Sequence, residues 1–176
     1  RTSTRISRET RARILEAAIK LSYRPNAAAR ALAQRRMNTL GIAAIVNDGG
    51  EFDHYFLEAF NGIITNAAVH SQTTTVFALH DWDRDSHRIP GFCDGRIDGL
   101  ILIAPVFHGA SARFLPTHTP FVAMNPDQTL PGVVNIEADE EPGAQAIVRD
   151  LLAAGHGRIL HITGPRGRGG PERRIH

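Results

Sequence analysis

One uninterrupted apolar segment constrains the fold of this chain more than any other part of the sequence. Residues 39–46 read Thr-Leu-Gly-Ile-Ala-Ala-Ile-Val, which is the length of a typical strand and nearly free of polar side chains. A strand with one face in water alternates apolar and polar residues, whereas a continuous apolar run predicts a strand buried on both faces. Such strands occur almost only in parallel sheets that are covered by helices.

The segments that follow alternate between strand-like and helix-like patterns. Strands are predicted over residues 73–79, 97–103, 120–124, 132–136 and 158–163, and helices over residues 53–70 and 140–154. Gly155 is expected to end the second of these helices. This alternation predicts the α/β class with a doubly wound parallel sheet.

Two helices are predicted before the sheet. Ser7 is a suitable N-cap for a helix with apolar residues at positions 14, 15, 18 and 21. Pro25 ends this region, and Asn26 is a suitable N-cap for a short alanine-rich helix that runs to about Arg35. A helix of about ten residues is marginal alone in water, so we expect it to need a surface to pack against.

The charge is distributed unevenly between these two regions. Residues 1–36 contain ten Lys/Arg and two Asp/Glu, a net charge of +8, whereas residues 37–165 contain six basic and fifteen acidic residues, a net charge of −9. This asymmetry favours a head that binds a polyanion, attached to a body with another task. The alternative is a solvated helix face, because clustered arginines alone do not decide between the two.

Composition limits the class of protein further. A hydrophobic share of 42% is enough for a core, and the single Cys93 excludes an intramolecular disulfide. No apolar run approaches the ~20 residues that span a bilayer, and no secretory signal is recognisable. We therefore expect a cytoplasmic protein and, because the chain starts at Arg1 without a Met, a fragment of a longer one.

Several motifs, in a shared order, resemble the LacI/GalR family of transcription regulators over about residues 5–175. They are Ile6 to Leu15, Tyr23-Arg24-Pro25-Asn26, Ala28-Ala29-Arg30-Ala31-Leu32, Val134 to Asp139, Gly143-Ala144, Leu151-Leu152, Gly155-His156, and Arg158-Ile159 to Gly164-Pro165. The resemblance implies three segments. These are the remnant of a helix-turn-helix headpiece (residues 1–25), a hinge helix and linker (26–37), and the N-terminal subdomain of a periplasmic-binding-protein-like effector core (38–176).

The family pattern also implies function and partners. It implies a sequence-specific DNA-binding regulator, in our interpretation a repressor, that binds operator DNA as a homodimer when complete and responds to a sugar-like or other small polar effector. The first headpiece helices and the second core subdomain of the family have no counterpart in this sequence. Arg11, Arg13, Lys20 and Arg24 are expected to contact phosphates at most.

The hinge segment supplies the DNA-binding residues that the resemblance implies. Leu32 corresponds to the apolar wedge that two hinge helices insert between base pairs at the operator centre. Small residues allow a close approach to the groove, and arginines reach phosphates or the minor groove. The predicted set is Asn26, Ala28, Ala29, Leu32, Arg35 and Arg36. The alternative is an ordinary amphipathic helix in which Leu32 is a core residue.

Effector contacts are expected in the loops after the carboxyl ends of the strands, where open α/β sheets bind ligands. After the first strand, Asp53, Tyr55 and Phe56 occupy the place of the family's Asn-Pro-Phe-Phe motif, with His54 in place of proline. Aromatic side chains suit stacking on a ring, and Asp53 can accept hydrogen bonds from hydroxyl groups. Phe56 has the alternative of being a core residue.

Three further effector contacts are implied by the resemblance. Asn125 stands where the family has Asp or Asn, but Pro126 replaces a common arginine, which disfavours a strongly acidic effector. Arg173 resembles a ligand-contacting arginine of the family and keeps an acidic effector open. Asp139 either orients the ligand or caps the following helix, and the cap is the favoured role.

Catalysis, cofactors and metals are not expected. The sequence has no HExxH motif, no GxGxxG, and no GK[ST] ending on the glycine-rich run at residues 164–170. Two other classes share the α/β pattern. A periplasmic-type solute-binding protein is disfavoured by the basic N-terminal region, and a Rossmann-type enzyme by the missing glycine fingerprint.

Overall fold

The computed structural model describes residues 6–24, 26–46 and 54–163. The chain divides into two compact units, Arg1–Met37 and Asn38–His176. The roles of the individual segments as headpiece remnant, hinge and effector core stay predictions. The described residues include no helix with the length and apolar character needed to cross a membrane.

The described part of the first unit contains two helices, α1 (Arg8–Lys20) and α2 (Ala27–Gln34). Ser7 caps α1 as predicted, since its Oγ accepts a hydrogen bond from the Thr10 backbone N–H at 3.1 Å. The apolar face of α1 is exposed, with Ile14 at 54% and Leu15 at 56% relative exposure. None of the residues of α1 is buried.

The second unit contains a five-stranded sheet with the longer helices α3 and α6. Its strands are β1 (Thr39–Ile45), β2 (Thr73–Leu79), β3 (Gly99–Ile103), β4 (Phe121–Met124) and β5 (Val134–Ile136). The helices are α3 (His54–Val69), α4 (Trp82–Asp85), α5 (Ile89–Phe92) and α6 (Glu141–Ala153). All four strand pairs are parallel and the order is β2-β1-β3-β4-β5, which confirms the predicted sheet.

The core lies on both faces of β1, as its apolar sequence predicts. Because successive side chains of a strand point to opposite faces, Ala43 joins one cluster while Ile42 and Ala44 join the other. The larger cluster also contains Phe77 and Trp82. Burial on both faces explains why β1 carries almost no polar residue.

Several helices end in the same backbone arrangement, in which one residue adopts a left-handed conformation. At the end of α3, Ser71 has φ 55° and the Gln72 N–H donates to the Ala67 carbonyl at 2.8 Å. At the end of α6, Gly155 has φ 87° and the His156 N–H donates to the Leu151 carbonyl at 3.0 Å. This is the Schellman arrangement, and it confirms Gly155 as the end of α6.

The strand predicted over residues 158–163 is wrong. This segment has no strand conformation, and Leu160 and Ile162 are each 85% exposed. A strand needs a neighbour to accept and donate its backbone hydrogen bonds, and no described strand pairs with this segment. An apolar sequence pattern alone therefore did not determine its conformation.

The short helices between β2 and β3 were not predicted. Asp81 caps α4, since its Oδ1 accepts the Arg84 N–H at 2.7 Å, and Asp85 Oδ2 at the other end of α4 accepts the His80 N–H at 2.8 Å. The N-cap residue of α5, Arg88, makes no side-chain cap hydrogen bond. Each helix has four residues, which is too short for a helical period to show in the sequence.

Candidate nucleic-acid interface and effector site

The amino end of α2 is fixed by a side-chain cap. Asn26 Oδ1 accepts a hydrogen bond from the Ala29 N–H at 3.3 Å, which confirms the predicted cap. Pro25 lies outside the described residues. Ala28 and Leu32 lie within α2, and the structure describes their backbone but not their side chains.

The carboxyl end of α2 presents two arginines. Arg35 follows the last helical residue with φ 53°, and the Arg36 N–H donates to the Ala31 carbonyl at 3.1 Å. The helix therefore ends one residue before the predicted end, in a Schellman arrangement without glycine. Arg35 and Arg36 are both exposed, and exposed guanidinium groups can reach phosphate oxygens.

The strand order creates a switch point between β1 and β3. The chain runs from β1 outward to β2 and then returns to β3 on the other side of β1. In open parallel sheets, a ligand site forms beyond the carboxyl ends of the strands at such a point. The loop after β1, including the predicted contact Asp53, lies outside the described residues, as does Arg173.

Two residues at the carboxyl ends of β3 and β4 have left-handed backbone conformations. Ala104 follows β3 and Asn125 follows β4, each with φ 47°. The Ala104 N–H donates to the Met124 carbonyl at 2.8 Å, and the Asn125 N–H donates to the Ile136 carbonyl at 2.7 Å. These bonds hold three neighbouring strand ends together and place Asn125, half-buried, at the edge where a ligand is expected.

The two aromatic residues at the start of α3 have different environments. Tyr55 is 42% exposed, whereas Phe56 is 3% exposed and stacks on Phe60 with ring centroids 5.3 Å apart. Phe56 belongs to the cluster that also contains Ile42. The structure thus supports the alternative for Phe56, a core role, whereas the Tyr55 side chain is partly exposed.

The capping role favoured for Asp139 is wrong. The N-cap position of α6 is occupied by Glu140, whose side chain makes no cap hydrogen bond. Asp139 precedes it and is exposed. The helix starts at Glu141, one residue later than a cap at Asp139 would require.

A polar cluster that the sequence did not reveal joins the segments after β2 and β3. Asp83 Oδ1 accepts a hydrogen bond from the Ser111 hydroxyl at 2.6 Å and from the His108 backbone N–H at 3.1 Å. Asp83 Oδ2 lies 3.0 Å from His108 Nδ1. These donors, the Ser111 hydroxyl first, hold the pKa of Asp83 below its usual value.

The same cluster does not have the geometry of a nucleophile activated by a base. The Ser111 hydroxyl donates to the carboxylate of Asp83 and not to the imidazole of His108, and that carboxylate, whose pKa lies below its ordinary value, is too weak a base to activate the hydroxyl. Burial raises the pKa of the Cys93 thiol, which makes it a poor nucleophile. Within residues 6–24, 26–46 and 54–163, no group of three His, Cys, Asp or Glu side chains could hold a metal ion.

An apolar groove lies elsewhere, between α6 and residues 159–161. Its volume is about 460 Å³, and Ile147, Leu151 and Leu160 are among its lining residues. A site for a small polar ligand combines an apolar wall with several converging polar groups. This groove is lined mainly by apolar side chains and is distinct from the strand ends at Asn125, so it does not match the predicted effector site.

Comparison with known proteins gives a consistent result across both units. No protein-family model matches the sequence. The HTH-type transcriptional repressor PurR of Aliivibrio salmonicida is 26% identical over 97% of this chain and 51% of its own length. The chain spans about half the length of the curated relatives it matches.

Solved structures agree with this similarity. The Lac repressor dimer bound to operator and the anti-inducer ONPF has the same fold, with a TM-score of 0.78 at 22% identity over 98% of this chain and 52% of that chain. A transcriptional regulator protein of the LacI family from Rhizobium etli has a TM-score of 0.60 at 26% identity over 78% of this chain and 49% of its own. Over most of its length, the chain is similar to regulators of the LacI/GalR family.

Proposed function

We propose that this chain, which is similar to LacI/GalR regulators over most of its length, is the hinge and first effector-binding half of a DNA-binding transcriptional repressor. The observation that supports this most directly is the continuity of the match to a repressor over 97% of the chain, through both compact units. A similarity confined to the sheet would fit a solute-binding protein equally well.

The charge distribution supports DNA as the partner of the first unit. DNA attracts the segment of net charge +8 and repels the segment of net charge −9, so contact is expected at α1 and α2. Most of this attraction is to phosphates and does not depend on sequence. Specific recognition therefore needs a further contact, for which we propose the insertion of Leu32 between base pairs.

For the effector, we propose a small polar metabolite bound at the carboxyl ends of β1, β3 and β4. Asn125 can supply hydrogen bonds there, and the exposed ring of Tyr55 can stack against a sugar. Asp53, Asp139 and Arg173 stay as predicted contacts. The effector changes DNA binding by the difference between its affinities for two arrangements of the core. A homodimer is part of the proposal, since the Lac repressor in the structure described above is a dimer on operator DNA. A cytoplasmic location is also part of the proposal, because that is where a bacterial operator would be bound.

The first experiment selects bound duplexes from a random library with the protein expressed from its whole coding sequence. A duplex enriched over many rounds and bound more tightly than random DNA is the expected result. If no duplex is enriched, the regulator proposal is wrong and a solute-binding role without DNA becomes the better explanation.

The second experiment compares Leu32→Ala with Leu21→Ala, the same change at an exposed leucine that ends α1. Losing the buried apolar wedge removes about 1.5 kcal/mol or more, which is about tenfold in affinity for the enriched duplex. Leu32→Ala is expected to change the affinity for random duplex little. Leu21→Ala is expected to change the affinity for neither duplex. Equal losses of Leu32→Ala on both duplexes would overturn the wedge.

A further inference from the structure

The chain enters the sheet through Asn38, whose backbone is held on both sides. Asn38 is the first residue of the second unit and has φ 52°. Its N–H donates to Asp98 Oδ2 at 2.6 Å. Its carbonyl accepts two hydrogen bonds from Thr73, from the N–H at 2.8 Å and from the hydroxyl at 3.1 Å. Both backbone polar groups of this residue are therefore bound.

Asp98 is bound in turn to the start of β1. Its own N–H donates to the Thr39 carbonyl at 2.8 Å, so Asn38 and Thr39 are both bound to one residue just before β3. We call these two bonds, Asn38 N–H to Asp98 Oδ2 and Asp98 N–H to Thr39 carbonyl, the β1–β3 clasp. The clasp includes a charged acceptor that is half-buried, and such bonds are shorter and stronger than neutral ones.

The conformation that the clasp fixes is one that few residues adopt. A left-handed backbone is unfavourable for residues other than glycine, although asparagine tolerates it better than most. Arg35, where α2 ends, has the same conformation with φ 53°. The connection between α2 and β1 is therefore short and has a defined backbone conformation at each end, at residues 35 and 38.

We propose that Asp98 is a positioning residue that, by holding the backbone of Asn38, limits the conformations of the segment that joins α2 to β1. This proposal rests on the proposed DNA-binding function. Residues 35–38 are the covalent connection between α2 and β1, so their backbone conformations are one route by which the core can affect DNA binding through α2. If the Asn38 backbone is no longer held, the connection between α2 and β1 can adopt more conformations. Restricting these conformations on DNA costs free energy, so specific binding becomes weaker.

The test compares Asp98→Ala with Asp94→Ala. Asp94 is a matched control because it lies in the same segment, carries the same charge and pairs with Arg96 two residues away. The first measurement is hydrogen exchange of the Asn38 amide by nuclear magnetic resonance, which needs no DNA. Asp98→Ala is expected to lower its protection about tenfold or more, since the lost bond has a charged acceptor, and Asp94→Ala to leave it unchanged.

The second measurement is the ratio of affinities for the enriched duplex and for a random duplex of equal length. It is made at a temperature where all variants are folded, so a general loss of stability does not change it. We expect Asp98→Ala to lower this ratio about fivefold or more and Asp94→Ala to preserve it. If Asp98→Ala does not fold, Asp98→Asn replaces it, because the amide keeps a neutral acceptor of the same shape.

The outcomes separate the two proposals. Unchanged protection of Asn38 in Asp98→Ala means that the clasp does not hold it, and overturns the positioning role. Lowered protection of Asn38 with an unchanged affinity ratio means that the clasp stabilises the fold alone, and this result also overturns the positioning role. If the unmodified protein enriches no duplex, the proposed function fails and the positioning role fails with it, while the exchange measurement still reports whether the clasp exists.

Discussion

Gly41 lies at a position in β1 where the structure leaves no room for a side chain. A Cβ atom placed there would lie 2.7 Å from Ile97 Cδ1 and 2.9 Å from both Leu100 Cδ1 and Phe77 Cε2. These three side chains belong to one buried cluster, so one cannot move without disturbing the others. We therefore predict that Gly41→Ala destabilises the second unit.

The magnitude follows from two opposing effects. Overpacking of a filled core costs about 1–3 kcal/mol. Replacing glycine by alanine also restricts the unfolded chain, which stabilises the folded state by about 0.4–1 kcal/mol. With a mid-range value for each effect, about 2 and about 0.7 kcal/mol, the free energy of unfolding of Gly41→Ala is expected to fall by about 1.3 kcal/mol, within about 0.5–2 kcal/mol.

Gly99 in β3 is the matched control. A Cβ atom there would lie 3.5 Å from the Pro120 carbonyl oxygen and 3.6 Å from Leu40 Cδ2, which are ordinary contacts. Gly99→Ala is therefore expected to keep only the unfolded-state effect and to stabilise the protein by about 0.4–1 kcal/mol.

Urea unfolding followed by circular dichroism measures both variants. With a slope of about 2 kcal/mol/M, the midpoint of Gly41→Ala should fall by about 0.3–1 M, and that of Gly99→Ala should rise. A midpoint for Gly41→Ala equal to or above that of the unmodified protein would show that the core around β1 is not packed as described. A fall of similar size for both variants would show that the contacts at Gly41 are not the cause.

Two further predictions concern stability. Ser71→Gly should raise the free energy of unfolding by about 0.5–1 kcal/mol, because Ser71 has φ 55° at the end of α3, and Gly155→Ala at the end of α6 should lower it by a similar amount; opposite signs in urea unfolding are required. Asp83→Asn should destabilise the protein near pH 7. In the folded state, the pKa of Asp83 lies below its ordinary value of 3.8, so its stabilising effect is complete above about pH 4 and disappears as the pH falls through the folded pKa. The difference in free energy of unfolding between Asp83→Asn and the unmodified protein should therefore shrink at lower pH. A difference that stays constant with pH would contradict the assigned contacts with Ser111 and His108.

The sequence by itself determined the local elements and the type of sheet. The apolar run at residues 39–46 required a strand buried on both faces, and β1 lies between β2 and β3 with parallel neighbours. Ser7 and Asn26 marked the starts of α1 and α2, since a cap depends on residues three positions apart. Gly155 marked the end of α6 for the same local reason.

The site depended more on contacts between distant residues. Asn125 followed a predicted strand, so its place at the carboxyl edge could be expected from the strand pattern. The position of Phe56 in the core could not, because both an exposed and a buried aromatic residue fit the first turn of α3, and only packing against residues such as Ile42 decided between them.

Only the tertiary structure decided which polar groups meet. Asp83 and Ser111 are 28 residues apart, and Asn38 and Asp98 are 60 residues apart, and each pair is brought together by the order of the strands. Likewise, residues 158–163 have the composition of a strand but no described partner strand, and they are not one. Caps and strand periodicity act within a few residues and can be read from the sequence, whereas burial, ladder pairing and side-chain hydrogen bonds depend on segments that the chain brings together only when it folds.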